Sequence, residues 1–309
     1  MPKVSLIIPT FNRDKVLCDS ITCALNQDYS DYEIIVVDQS DSHDLETQGF
    51  LNRLPTSVRI INHQPPSLTG ARNRGIQEAR GEIVVMIDDD VIIKNDFIKQ
   101  HLKYYDDPDV VGVTGRIQQD NKYVNKAMPF FKDEFLRWVS PHTFSDKNKK
   151  EAFRLAGGNF SVRKESAIQV GLFDENFIGT AWGEEIDFSL RLRLLDKKLI
   201  YNPAAYIYHL CEKSGGVGNR ARFSAFSVYS KPYNLAYLIE KNNLNKRFYP
   251  LLIWYIYRPL FCKKDYLSPK GIGFILRGQY YFLTGLLGGY KKGMACKKIL
   301  REKLTDGCK

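Results

Sequence analysis

Four short runs rich in valine and isoleucine recur through the first ninety residues: VSLIIP (4–9), EIIVVD (33–38), VRIIN (58–62) and EIVVMID (82–88). Between them lie segments with helical spacing, first Leu17, Ile21, Ala24 and Leu25, then LETQGFLNRL (45–54), then TGARNRGIQEA (69–79). A strand with one wet face alternates apolar and polar residues. These runs do not alternate, so they predict a parallel sheet with helices on both faces. In such sheets ligands bind beyond the carboxyl ends of the strands. Polar groups gather at three of those ends: PTFNR (9–13), DQSDSHD (38–44) and the triplet Asp88, Asp89 and Asp90.

The triplet is the hardest of these to explain. Three adjacent carboxylates at the end of a buried strand repel one another, and each costs energy to desolvate without a positive partner. The chemistry therefore predicts a cation there; the plain alternative is an exposed turn capping a helix that begins near Asn95. Dinucleotide and P-loop fingerprints are absent, because the first turn reads PTFNRD and no GxxxxGK[ST] occurs.

Composition narrows the class. The chain has 309 residues, 44% of them apolar, enough for one large α/β domain or two smaller ones. Its six cysteines are scattered without CxxC pairs, which argues against a disulfide framework or a zinc knot and fits a reducing compartment. The N-terminus runs straight into a strand with no leader-like flank, and no run reaches about 18 uninterrupted apolar residues, so neither a signal peptide nor a membrane span is expected. Charge is uneven. Residues 201–309 hold 19 lysines and arginines against 5 acids, whereas residues 1–200 hold 26 against 30.

In order and spacing, VSLIIPTFNR, YEIIVVDQSD, GARNRGIQEARGEIVVMIDDD, GGNFSVRKESAIQVGLFDENF and WGEEIDFSLRLR resemble glycosyltransferase family 2, the inverting transferases of the GT-A fold, over residues 3–215. The resemblance implies a Rossmann-like mixed central sheet in a catalytic domain spanning 1–217, followed by a helical, basic and aromatic extension over 218–309. It also implies that Asp88 and Asp90 hold Mn²⁺ or Mg²⁺, with Asp88 and Asp89 beside the diphosphate of a nucleotide sugar. His209, which closes AAYIYHL, would complete the metal shell and favour Mn²⁺; its plain reading is a satisfied polar residue at a strand end. Pro9, Thr10, Asn12, Arg13 and Asp38 would form the nucleoside pocket, although Asp38 could equally cap a turn. Arg72 and Asn73 would flank base and diphosphate, although Arg72 could equally be a solvated helix charge. The Gly-rich EKSGG (212–216) is expected to close over the diphosphate.

The family's Glu-Asp pair falls on Glu184 and Glu185, and its second acid is the general base. Here Glu185 replaces the usual Asp, which leaves Asp187 as a reserve; positions 184 and 185 are turned about 100° apart, whereas 184 and 187 share a face. Trp182 either stacks on an acceptor sugar or packs. The implied reaction is single displacement by an acceptor hydroxyl with inversion, from a UDP-sugar first and a dTDP- or GDP-sugar otherwise, onto a saccharide or lipid-linked acceptor. A sugar nucleotidyltransferase would need a Gly-rich basic loop after the first strand. A non-catalytic nucleotide-sugar binder would have no use for acids at 184–187. A processive synthase would need membrane spans.

Residues 118–152 carry no family match and read as an acceptor-binding segment or a surface excursion. The tail stretches FYPLLIWYIYRPLF (248–261) and IGFILRGQYYFLTGLLGGY (272–290), bracketed by lysine pairs, predict either a helical cap or a membrane-surface element at the inner face of a cell membrane. Nucleic acid is not expected as a partner, since no binding motif accompanies the basic tail.

Overall fold

The computed structural model describes residues 3–119, 150–212, 214–216, 225–244, 280 and 283–296. The segment 120–149 and the stretches 245–279 and 297–309 lie outside the described residues, and with them most of the expected acceptor segment and much of the aromatic tail.

Strands β1 (Val4–Thr10), β2 (Tyr32–Asp38), β3 (Val58–Asn62) and β4 (Ile83–Ile87) alternate with helices α1 (Lys15–Leu25), α2 (Leu45–Leu51) and α3 (Leu68–Glu78). They pair in parallel in the order β3-β2-β1-β4. Successive residues enter opposite faces, which explains the unbroken apolar runs. Leu6, Ile8, Ile34, Val36, Val85 and Ile87 pack in one cluster with Leu17 and Ile21 of α1. Ile7, Ile35, Val37, Val84 and Met86 pack in the other with Ala71 and Ile76 of α3 and with Phe188 and Leu192. Each such fully buried side chain contributes about 1.5–3 kcal/mol.

Beyond β4 the sheet becomes mixed. β8 (Asn159–Arg163) runs antiparallel to both β4 and β6 (Val110–Gln118), β9 (Lys198–His209) lies parallel to β6, and β5 (Val91–Ile93) and β7 (Lys150–Glu151) run antiparallel to β9. Three more helices, α4 (Phe97–Leu102), α5 (Lys164–Gln169) and α6 (Glu184–Arg193), accompany these strands; α7 (Ala225–Lys241) and a helix α8 over 283–296 follow.

The chain divides into two compact units, Met1–Asp174 with Glu185–Asn219, and Glu175–Glu184 with Arg220–Lys309. Among the described residues no helix is long and apolar enough to cross a membrane.

A buried polar network runs through the first unit. The Tyr105 hydroxyl donates to Ser161 Oγ (2.9 Å), which lies 3.0 Å from His101 Nδ1; His101 Nε2 lies 3.0 Å from Asn159 Oδ1, and Asn159 Nδ2 donates to the Ala205 carbonyl (2.9 Å). Every member has partners of normal length, and burial holds the imidazole neutral, lowering its pKa to about 4.

Candidate active site

Asp88, Asp89 and Asp90 form the link between β4 and β5. Because β5 pairs antiparallel with β9, Val91 stands opposite His209, and this register sets His209 Nε2 3.0 Å from Asp90 Oδ1. One ligand atom each from Asp88, Asp90 and His209 lies within 4.8 Å of the others. Asp89 and Asp90 are buried, and α4 takes Asp96 as its N-cap, so the triplet is not an exposed helix cap.

Two arginines answer the triplet's charge incompletely. Arg13 places Nε 3.5 Å from Asp89 and Nη2 3.6 Å from Asp90, while Nη1 donates to the Ser214 carbonyl. Arg72 Nη2 lies 3.9 Å from Asp88 and 2.7 Å from the Gly157 carbonyl oxygen. Charge-assisted hydrogen bonds run to about 2.7–2.9 Å; the carboxylate contacts are longer, and the buried Nε of Arg13 makes no hydrogen bond. The guanidinium of Arg13, a residue expected beside the nucleoside, lies against the triplet and the Ser214 carbonyl.

The carboxyls are driven apart electrostatically. Burial pushes Asp89 up to about 7, against the pull of Arg13 and of the Thr10 hydroxyl at 2.7 Å, and its two acidic neighbours push the same way as burial. Burial also acts on Asp90, but there the hydrogen bond and charge of His209, the Glu212 amide at 2.9 Å and Arg13 outweigh it and hold the carboxyl below its usual range. Such opposed shifts among adjacent acids mark functional sites.

The residues fit a divalent cation. Two carboxylates and an imidazole are a donor set for Mn²⁺ or Mg²⁺, and the imidazole tilts it towards Mn²⁺. The ring is oriented from behind, since His209 Nδ1 lies 3.1 Å from Gln119 Oε1 and 3.2 Å from Cys211 Sγ, leaving Nε2 to face Asp90. Gly158 gives Asp88 its room: a Cβ there would run into the Asp88 carboxylate.

At the ends of β1 and β2, Pro9 pairs with Val37 and Thr10 with Asp38. The Asn12 amide donates to Ser40 Oγ (2.8 Å) and the Ser40 amide to Asp38 Oδ1 (2.9 Å). His43 of DQSDSHD bridges Asp38 (2.8 Å) and Asp14 (3.1 Å). Burial opposes charge on its ring, but the two carboxylates outweigh burial and raise its pKa. Asn73 holds the Phe173 backbone at both ends of its amide, 2.9 and 2.8 Å, and acts as a strut between α3 and that segment. The described part of EKSGG is pinned to the first turn: the Gly216 amide donates to the Phe11 carbonyl (2.8 Å), and Gly215, at φ +66°, lies where a Cβ would meet the Asn12 carbonyl oxygen.

Residues 154–158 tie α6 to the triplet. Arg154 Nη1 lies 3.2 Å from Glu185 Oε1, the Leu155 amide donates to Ser189 Oγ (2.9 Å), Gly157 receives Arg72, and Gly158 faces Asp88. Arg154 had no signal in the sequence, since its partner lies 31 residues away. The three acids of α6 differ. Asp187 is fully buried and gripped by Arg191 through Nε and Nη2, both at 2.9 Å. Glu185 keeps 18% of its side chain exposed. Glu184 is buried and, like the half-buried Trp182, belongs to the second unit.

Residues 5–171 match the family model of glycosyl transferase family 2. The GalNAc(5)-diNAcBac-PP-undecaprenol beta-1,3-glucosyltransferase of Campylobacter jejuni is 27% identical over 245 residues, covering 78% of this chain and 75% of that protein. The glucosyl-dolichyl phosphate glucuronosyltransferase of Haloferax volcanii is 25% identical over 217 residues, 67% of this chain and 69% of that protein. Among solved structures, the mannosyltransferase PcManGT of Pyrobaculum calidifontis, in complex with GDP-Man and Mn2+, superposes with a TM-score of 0.56 at 15% identity, covering 95% of this chain and 87% of that one. That likeness shows the fold. With more than half of the chain inside the family match and the strand-end acids in a GT-A sheet, the protein belongs to glycosyl transferase family 2 and is a glycosyltransferase.

Proposed function

We propose that the protein transfers a sugar from a nucleotide-diphosphate donor to a hydroxyl of a lipid-linked saccharide, with inversion, using a divalent cation held by Asp88, Asp90 and His209. The observation that carries this reading is the convergence of those three ligand atoms within 4.8 Å, beyond the strand ends where a GT-A sheet receives its donor. Two relatives named for undecaprenol- and dolichyl-linked substrates support the acceptor class, and the neighbour's GDP-Man and Mn2+ support the donor and metal classes.

In this reading Asp38, Asn12 and Thr10 contact the nucleoside, with Asp38 held in place by His43 and by the Ser40 amide. Arg13 and Arg72 turn from the triplet towards the diphosphate, where their guanidinium groups meet a stronger anion. Glu185 takes the proton of the attacking hydroxyl, positioned by Arg154; Asp187, locked by Arg191, holds the helix instead. When bound, Mn²⁺ or Mg²⁺ supplies charge to offset that gathering on the leaving diphosphate. Attack from the face opposite the nucleotide inverts the anomeric centre in one step. A peripheral place at the inner face of a membrane fits an acceptor carried on lipid.

Thermal-shift titration with UDP-, dTDP- and GDP-sugars, with and without Mn²⁺, followed by NMR of the anomeric product, tests the reading. A UDP-sugar is the first candidate, and a GDP-sugar follows from the neighbour's ligand. Full turnover in excess chelator, or a product of retained configuration, would sink it.

A further inference from the structure

Helices α7 and α8 both belong to the second unit. Gly285, Gly289 and Gly293 recur every fourth residue and so share one face of α8. A Cβ at Gly285 or Gly289 would run into the carbonyl oxygen of Tyr229 or Tyr233 on α7, and one at Gly293 would come 2.6 Å from Glu240 Cβ. The glycine seam is thus where α8 packs on α7. The apolar side chains of α8 fall elsewhere. Leu283, Leu287, Tyr290 and Met294, spaced by four and three residues, form a stripe turned away from the seam and are 54, 58, 39 and 41% exposed; Tyr280, ahead of residues 283–296, is 65% exposed. Lys291 beside the stripe and Lys292 further round the helix are exposed, and no acidic residue occurs from 280 to 296.

We infer that this stripe is a docking face for an anionic lipid surface. An amphipathic helix with an aromatic and aliphatic face flanked by lysines lies in the plane of the interface, its apolar side chains at the acyl boundary and its tyrosines at headgroup depth. Charge selects lipid over a second copy of the chain. Two copies meeting along the stripe would bring together lysine pairs from a tail with a surplus of 14 positive charges over residues 201–309, whereas anionic headgroups would neutralise them. The inference deepens the reading above and rests on it for its purpose, since a lipid-linked acceptor is presented at such a surface.

The test uses the full chain with vesicles of phosphatidylcholine, with and without phosphatidylglycerol. The expected result is sedimentation with the phosphatidylglycerol vesicles only, weakened by moderate salt. Replacing Leu283, Leu287 and Met294 together by Ser should lower the partition at least about tenfold, with melting temperature and transfer to a short soluble acceptor unchanged. Should the triple variant melt early, Lys291→Glu with Lys292→Glu serves in its place and should lose the phosphatidylglycerol preference. A chain that ignores anionic vesicles at low salt, variants that bind as well as the parent, or a stripe-dependent dimer in velocity sedimentation would each overturn the inference. Vesicle binding combined with transfer to soluble saccharide alone would remove the lipid-linked acceptor and leave the docking face standing; transfer to a lipid-linked acceptor without vesicle binding would do the reverse.

Discussion

Two buried polar clusters in the first unit, built on neighbouring strands, have opposite characters. In the Tyr105–Ser161–His101–Asn159 network, donors and acceptors alternate at 2.9–3.0 Å around a neutral imidazole. In the Asp88–Asp90 triplet, carboxylates crowd one another and the nearest guanidinium groups stand off at 3.5–3.9 Å. A network of neutral groups with matched donors rigidifies a core, whereas crowded carboxylates, even with Thr10, His209 and the Glu212 amide bonded to them, keep the charge to receive a cation. The first cluster supports β8, whose Asn159 follows the Gly158 that makes room for Asp88, so a rigid element underlies the reactive one.

The same contrast separates the acids of α6, and there the largest effect is expected. Glu185→Gln should cost on the order of a hundredfold or more in kcat with donor KM nearly unchanged, as for a group used only in the transition state. Asp187→Asn should instead lower the melting temperature by breaking a buried pair, worth about 3 kcal/mol or more. If Asp187→Asn were the stable but inactive variant, the base would move two residues along.

Acid should attack the satisfied network. His101 has a folded-state pKa depressed to about 4, so the neutral ring's contribution is present above the ordinary imidazole value and is lost as pH falls from there towards 4. The span is worth about 3 kcal/mol. Chemical denaturation at stepped pH should show this loss in the parent and a much flatter profile in His101→Gln. Equal slopes would assign the acid sensitivity elsewhere.

A smaller effect separates space from charge. Gly158→Ala keeps every charge but pushes on the Asp88 carboxylate; Mn²⁺-dependent binding of nucleoside diphosphate should weaken about tenfold while metal-free binding stays put, as expected for a displaced ligand. Unaltered Mn²⁺ dependence would take Asp88 out of the metal shell.

Much of this contrast was legible in the sequence, for a local reason. Strands β1 to β4 fall within a residue or so of the apolar runs, because a strand buried on both faces writes itself as consecutive Val and Ile. The acid triplet stood out because its chemistry is anomalous at a buried strand end. What could not be read is non-local. Arg13 lies 76 residues before Asp89 and reaches it only once β1 and β4 are paired, and His209 meets Asp90 through the antiparallel register of β5 on β9. His101 is not legible either, since a histidine in a short helix carries no sign of the Asn159 and Ser161 that enclose it. The carboxyl ranking on α6 likewise depended on Arg154 and Arg191, of which only Arg191, four residues on, was within local reach.

The central claim is that Asp88, Asp90 and His209 receive a divalent cation, and one thermal titration of the parent against Asp90→Asn tests it most directly. With nucleoside diphosphate present, Mn²⁺ should raise the parent's melting temperature. Asp90→Asn should melt somewhat lower without metal, because His209, the Glu212 amide and Arg13 favour the ionised carboxylate, and should show no rise with Mn²⁺. A variant that retains the full Mn²⁺-dependent rise, or a parent that shows none, would contradict the claim.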